Sequence, residues 1–219
     1  LALAQQAMDD LAALHQHFAQ MESKGSHFPF IEPALRQPEF ATGMLQHALA
    51  HRPEQMNPAF TRIAELYIEA ANAVHDVWET GDQVVTHGDT HVTNLFVDGH
   101  RLGYLDWGCF GRAPALRDVG YFLCMALSVE DRRRHEADLI RRYLSARRAL
   151  GGVPPNFESA WKEHQMQASY TVIAAAPTLL HPEDRRTPDA EYARLFLARS
   201  LAAVEDHASH RILEADIGR

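Results

Sequence analysis

Apolar residues recur at helical spacing over most of the chain. Leu3, Ala7, Leu11, Leu14 and Phe18 mark one face of a first helix that fades near Gly25. A loop bearing Pro29, Pro33 and Pro38 leads to a second helix expected over 39–50. Asn57-Pro58 supplies a cap and a first-turn proline. Phe60, Ile63, Tyr67, Ala70, Val74 and Val77 then predict a long amphipathic helix stopped by Gly81. There the pattern changes. Residues 83–86, 95–97 and 102–105 read as short strands, the last two joined across Asp98-Gly99-His100-Arg101 as a hairpin. Helices return at Pro114, through Leu116, Val119, Phe122, Leu123 and Leu127, and after Ser128-Val129-Glu130-Asp131, which has the form of a capping box. Gly151-Gly152-Val153-Pro154-Pro155 breaks the chain, and two more helices are expected over 157–175 and 190–210, either side of a polar, proline-bearing segment. No internal repeat is visible. The pattern predicts a mostly α chain with a small β-hairpin insert.

Composition narrows the class of function. At 219 residues, with 46% hydrophobic and 23% charged side chains, the chain can bury a sizeable core and is not a long disordered segment. A formal net charge of −8 argues against a broad nucleic-acid-binding face. Two cysteines, Cys109 and Cys124, exclude a disulfide-stapled scaffold and fit a reducing, cytoplasmic setting. No apolar run reaches the roughly 18–20 residues of a membrane span. Of 21 basic residues only Lys24 and Lys162 are lysines.

The chemistry gathers in the β insert. His87-Gly88-Asp89-Thr90-His91-Val92-Thr93-Asn94 follows the first strand and is dense in side chains that are costly to bury unpaired. With the hairpin centred near His100, Asn94 stands opposite Asp106, their Cβ atoms about 4.5–5.5 Å apart. A slip of one residue makes them diagonal neighbours. An amide oxygen and a carboxylate at that spot are hard donors suited to Mg²⁺. Asp89, in the loop entering the hairpin, is placed to orient a hydroxyl and accept its proton. Phosphoryl transfer from ATP needs those parts, because it is carried by positioning and charge neutralisation.

H-G-D-x-x-x-x-N at 87–94, a hairpin, and Asp106-Trp107-Gly108 at its far end resemble the aminoglycoside phosphotransferase/choline kinase group, small-molecule kinases with a protein-kinase-like fold. Arg112-Ala113-Pro114-Ala115-Leu116-Arg117-Asp118-Val119-Gly120-Tyr121-Phe122 and the opening Leu11-Ala12-Ala13-Leu14-His15 are similar to the same family. By chance the H-x-D-x-x-x-x-N string would occur about 0.016 times in a chain of this composition, so the strand–loop–hairpin order around it carries the rest of the weight. The resemblance implies Asp89 as catalytic base and Asn94 and Asp106 as magnesium ligands. It makes His87 and Asp118 braces of the loop and Trp107 a contact for the nucleotide.

The resemblance also implies one kinase-like C-terminal lobe over 1–219, with helices over 1–80, catalytic loop and hairpin over 83–108, and helices over 114–210. The α+β kinase fold would carry an N-terminal lobe too. No G-x-G-x-x-G string occurs, and neither lysine stands in a strand, so that lobe is expected to be missing from this chain. Self-association through the surface it would cover is then expected.

The function so implied is an ATP- and Mg²⁺-dependent transfer of the γ-phosphoryl group to a small-molecule hydroxyl: an aminoglycoside, an amino alcohol or a sugar-like acceptor. Neither nucleic acid nor membrane is expected as a partner. Two other readings stand beside it. One is a catalytically incompetent kinase-like fragment that binds a ligand or partner. The other is a metal-dependent hydrolase built on His87, His91, Asp89 and Asp106. The acidic stretch 182–184 and Asp189, with the net negative charge, mildly favour a cationic acceptor such as an amino sugar or amino alcohol.

Overall fold

The computed structural model describes residues 1–180 and 188–218. In chain order the elements are α1 (Ala2–Ser23), α2 (Pro38–His51), α3 (Pro58–Trp78), β1 (Gln83–Thr86), β2 (Leu95–Asp98), β3 (Arg101–Tyr104), β4 (Gly111–Pro114), α4 (Ala115–Ala126), α5 (Val129–Ala149), α6 (Phe157–Gln167), α7 (Thr171–Ala175), α8 (Pro188–Asp206) and α9 (Ser209–Asp216). Short 3-10 turns fill several of the joints. The chain is mostly helical, with two small antiparallel ribbons, β1–β4 and β2–β3. The acidic stretch 182–184 lies outside the described residues. No helix among the described residues is long and apolar enough to cross a membrane.

Two compact units emerge. The first comprises residues 1–35 and 79–164, the second 36–78 and 165–219.

The first unit is held by α1, α4 and α5. Ala4, Ala7, Met8, Leu11 and Ala12 of α1 share a core with Leu116, Val119, Phe122 and Leu123 of α4 and with Leu139, Ile140, Tyr143 and Leu144 of α5. Removing a fully buried leucine such as Leu11 or Leu116 costs about 2–5 kcal/mol in lost transfer energy and residual cavity. The buried face of α1 is turned from the expected one. Leu3 stays 37% exposed, whereas Ala4, Met8, Ala12, His15 and Gln16 are buried. Small residues at 4, 7 and 12 let neighbouring elements approach closely, and the two polar members of the stripe are hydrogen-bonded, as burial requires. Ser128 caps α5 as its sequence indicates, its hydroxyl accepting from Asp131 N at 3.1 Å.

The second unit contains α2, α3, α7, α8 and α9. Asn57 caps α3 through its Oδ1, which accepts from Phe60 N at 2.9 Å. The expected long helix forms but kinks at Ala70, where φ −150° and ψ 48° leave the helical region. Trp78 is fully buried. Its indole donates to Ser169 Oγ at 2.7 Å, and it stacks on Tyr67 at a centroid distance of 5.6 Å, a core role with its polar handle satisfied. The helix expected over 157–175 is interrupted at 168–170. There Ser169 Oγ donates back to Met166 O and Thr171 Oγ1 to Ala168 O, side-chain bonds that compete with a straight helix. The last expected helix is divided at Ala208, whose φ of 47° ends α8 and opens α9.

Candidate functional site

The loop 87–94 hangs from one carboxylate. Asp118, in the first turn of α4, accepts from His87 N through Oδ2 at 2.9 Å and from Gly88 N through Oδ1 at 3.0 Å. Its backbone carbonyl accepts from Thr90 Oγ1 at 3.0 Å. Asp118 is 1% exposed, and the two backbone donors give its buried carboxylate the partners that burial requires. The anchor is held from α1 as well: His15 Nε2 lies 3.2 Å from Asp118 Oδ2, and His15 Nδ1 lies 2.8 Å from the Tyr143 hydroxyl. Burial and the Asp82 and Asp118 charges push the Tyr143 hydroxyl far up, outweighing Arg147, so it stays protonated.

His87 is itself fully buried. Its Nδ1 accepts from Asp89 N at 3.2 Å, and its Nε2 donates to Leu105 O at 2.9 Å. The imidazole thereby ties the loop to the outgoing end of the hairpin. Gly88 completes the turn with φ +84°, and any Cβ there would collide with the carbonyl oxygen of Cys109. Only glycine fits both the left-handed backbone and the close approach.

Asp89 and Asn94 meet directly. The Asn94 amide nitrogen donates to Asp89 Oδ2 at 2.8 Å and to Asp89 O at 2.9 Å. With its nitrogen so committed, Asn94 has its amide oxygen left to act as the acceptor. His91 Nε2 lies 3.3 Å from the same Oδ2.

The hairpin register differs by one from the centred expectation. Leu95 pairs with Tyr104 and Asp98 with Arg101, so the centre falls between Gly99 and His100. Gly99 takes φ +60° while His100 does not enter positive φ, the pattern of a two-residue type II′ turn. Asn94 therefore faces Leu105, whose N–H donates to Asn94 O at 2.8 Å, and Asp106 becomes its diagonal neighbour. Asp106 adopts φ 54°, ψ 74° and accepts from Gly108 N at 3.2 Å. A left-handed non-glycine residue costs about 1–3 kcal/mol unless its surroundings hold it, and such strain gathers at functional sites. Asp106 is exposed, with carboxylate oxygen to spare.

Cys109 reports on both carboxylates. Burial raises its thiol pKa first, and the Asp89 and Asp106 charges raise it further. A thiol so placed is a poor nucleophile. Trp107 is 46% exposed and leans on His87 with ring centroids 4.5 Å apart. Together they line a cavity of about 280 Å³ with Asp10, Leu11, Leu14, Arg101 and Tyr104. Burial, with the Asp10 and Asp118 charges behind it, pushes the Tyr104 hydroxyl pKa far up, so it stays protonated.

The structure thus brings Asp89, Asn94, His87 and Asp118 into one hydrogen-bonded assembly, with Asp106 and Trp107 on the adjoining turn. Sequence reasoning missed what stands behind them. His15 interrupts the apolar stripe of α1, and a titratable residue in such a stripe is the signal that could have found it. Tyr143 and the two-point grip of Gln6 on Leu102 N and O, at 2.9 and 3.0 Å, carry no local signature.

Residues 1–153 match the family model of the phosphotransferase enzyme family. Among solved structures, a choline/ethanolamine kinase family protein from Mesorhizobium loti is 18% identical, with 98% of this chain and 65% of that chain covered and a TM-score of 0.56. Choline kinase from Cryptosporidium parvum Iowa II is 13% identical, with 98% and 68% covered and a TM-score of 0.60. Choline kinase LicA from Streptococcus pneumoniae is 12% identical, with 94% and 63% covered and a TM-score of 0.52. At these identities the likeness is one of fold. The chain spans about two thirds of the length of these structures. No curated protein sequence matches it at a significant level.

Proposed function

The chain belongs to the phosphotransferase enzyme family, and from that premise we propose that it transfers the γ-phosphoryl group of ATP to a hydroxyl of a small molecule, with Mg²⁺. The observation that carries the reading is the state of Asp89. Its Oδ2 is occupied by the Asn94 amide at 2.8 Å, while Oδ1 takes no hydrogen bond among the described residues. Asp89 receives the acceptor's proton at Oδ1 as the acceptor oxygen bonds to phosphorus and the bond to the leaving ADP breaks.

Two oxygen donors suit magnesium: the Asn94 amide oxygen, freed because its nitrogen is committed to Asp89, and the exposed Asp106 carboxylate. Bound there, the ion would neutralise charge on the transferring phosphates. The chain's own part is orientation. Asp118 fixes the loop backbone, His87 ties it to the hairpin, and the type II′ turn sets where Asp106 falls. The net charge of −8 supports a cationic acceptor such as an amino alcohol or amino sugar. The zinc-hydrolase reading loses its first ligand, since both ring nitrogens of His87 are committed.

A second reading, a kinase-like unit that binds without turnover, draws on the two lysines. Lys24 caps the end of α1 and Lys162 lies on α6, so neither stands beside the loop in sequence. Calorimetric titration with ATP and Mg²⁺, followed by measurement of ADP release with amino alcohols and aminoglycosides, separates the two. Binding with ADP release supports transfer. Binding without release supports the second reading, and the absence of both defeats the proposal.

A further inference from the structure

The motif at 87–94 contains a second histidine that no step above uses. His91 Nε2 lies 3.3 Å from Asp89 Oδ2, with the two side chains only 15% and 27% exposed. On the other side of the ring, Nδ1 lies 2.9 Å from Thr93 Oγ1. The imidazole also stands edge-on to Tyr121, with centroids 6.2 Å apart at 71°. A carboxylate can only accept, so an Nε2 facing it carries the hydrogen. In the neutral ring Nδ1 must then accept, and the Thr93 hydroxyl supplies that proton. One tautomer satisfies both neighbours, selected by the partner on the remote nitrogen.

Asp89 Oδ2 is thus approached from two sides, by Asn94 Nδ2 and by His91 Nε2. The last torsion of an aspartate is broad and roughly two-fold, so a single anchor lets the carboxylate swing. The Asn94 hydrogen bond anchors Oδ2, and the polar contact of His91 on the same oxygen restricts the swing further and leaves the other oxygen forward. Resting on the phosphotransferase reading above, we propose that His91 is a positioning residue for Asp89. Its Nε2 stands in polar contact with Oδ2 at 3.3 Å, outside hydrogen-bond geometry, and its attraction for that oxygen leaves Oδ1 presented to the acceptor hydroxyl, with Thr93 setting the tautomer.

A residue that merely packs against Tyr121 would behave differently, and two variants tell the roles apart. His91→Gln keeps a donor near the position of Nε2 and discards the ring. His91→Phe keeps the ring and discards the donor. The positioning role predicts that kcat of His91→Gln stays within a few-fold of wild type. In His91→Phe it falls about 10²-fold, the scale of a reacting group misplaced by ~1 Å. KM for ATP stays unchanged in both. The reverse order, with Phe active and Gln inactive, overturns the proposal. Crystal structures of the same two variants supply a readout free of turnover. The Asp89 carboxylate should keep its orientation in His91→Gln and turn in His91→Phe. A carboxylate unmoved in His91→Phe overturns the proposal even if the chain transfers no phosphate, whereas a wild-type chain without turnover counts against the phosphotransferase reading alone.

Discussion

His15 and Asp118 meet at 3.2 Å with both side chains wholly buried, so the carboxylate that suspends the loop is itself gripped from another helix. Asp118 therefore serves α1, α4 and the loop at once. Asp118→Ala leaves the N–H groups of His87 and Gly88 without their acceptor, and each unsatisfied buried donor costs about 1–3 kcal/mol. The expected loss is about 3 kcal/mol. It would be seen as a fall in melting temperature of about 6–12 °C, at about 2–4 °C per kcal/mol for a chain of this size. A drop under 2 °C would mean that the loop is held by other contacts.

Asp89→Asn keeps an oxygen for the Asn94 amide but removes the base. The rate of transfer should fall about 10²- to 10⁴-fold, with nucleotide affinity unchanged by calorimetry. The same substitution removes one of the charges that raise the Cys109 thiol. Cys109 should then react faster with a thiol reagent at pH 8 than in wild type. An unchanged labelling rate would show that the Asp89 charge does not reach the Cys109 sulfur.

Gly88→Ala tests the close approach of the loop to the 107–110 turn. The left-handed backbone alone costs about 1–2 kcal/mol for a residue with a Cβ. The methyl must also displace the Cys109 carbonyl. Destabilisation above 2 kcal/mol in a urea titration is expected, with transfer activity lost even below the melting temperature. A Gly88→Ala chain of wild-type stability and rate would refute the packing described here.

Glu163 makes stability depend on pH. Burial first, and the Asp82 charge second, push its carboxyl up to about 7 against a smaller opposing pull from Arg117. Its Oε1 has no hydrogen-bond partner among the described residues. The folded state thus binds this proton more tightly than the unfolded chain. Stability falls as pH rises from the ordinary carboxylate range to about 7, then levels off, by up to about 3 kcal/mol. Glu163→Gln should raise the melting temperature at pH 8 and leave it unchanged at pH 4. An equal gain at both would assign the effect to packing.

Much of the site could be read from the chain because its signals are local. The strand at 83–86, the turn at Gly99 and the loop 87–94 each depend on neighbouring residues. What escaped depends on distant partners or on residues used against their habit. The strand β4 is Gly111-Arg112-Ala113-Pro114, a string of glycine and proline that β-statistics deplete. It forms because β1 offers it a partner, with Gln83 facing Pro114 at the strand's end. Ala7 and Leu11 lie inside as expected, but the buried face of α1 takes the small Ala4 and the hydrogen-bonded His15 in place of the large Leu3. The register at 94 and 106 turned on whether the hairpin tip holds an odd or even number of residues. That depends on Gly99 entering positive φ as the first residue of a two-residue turn, which a glycine permits but does not require.

The two-residue tip makes the β2–β3 ribbon a ruler. Substitutions at the solvent-facing His100 leave its length alone, but one inserted residue would shift the outgoing strand by about 3.3 Å and turn each of its side chains to the opposite face. Asp106 would then run past Asn94. Anyone grafting a label or epitope onto this protein at the tip should add residues in matched pairs, one to each strand, so that parity survives.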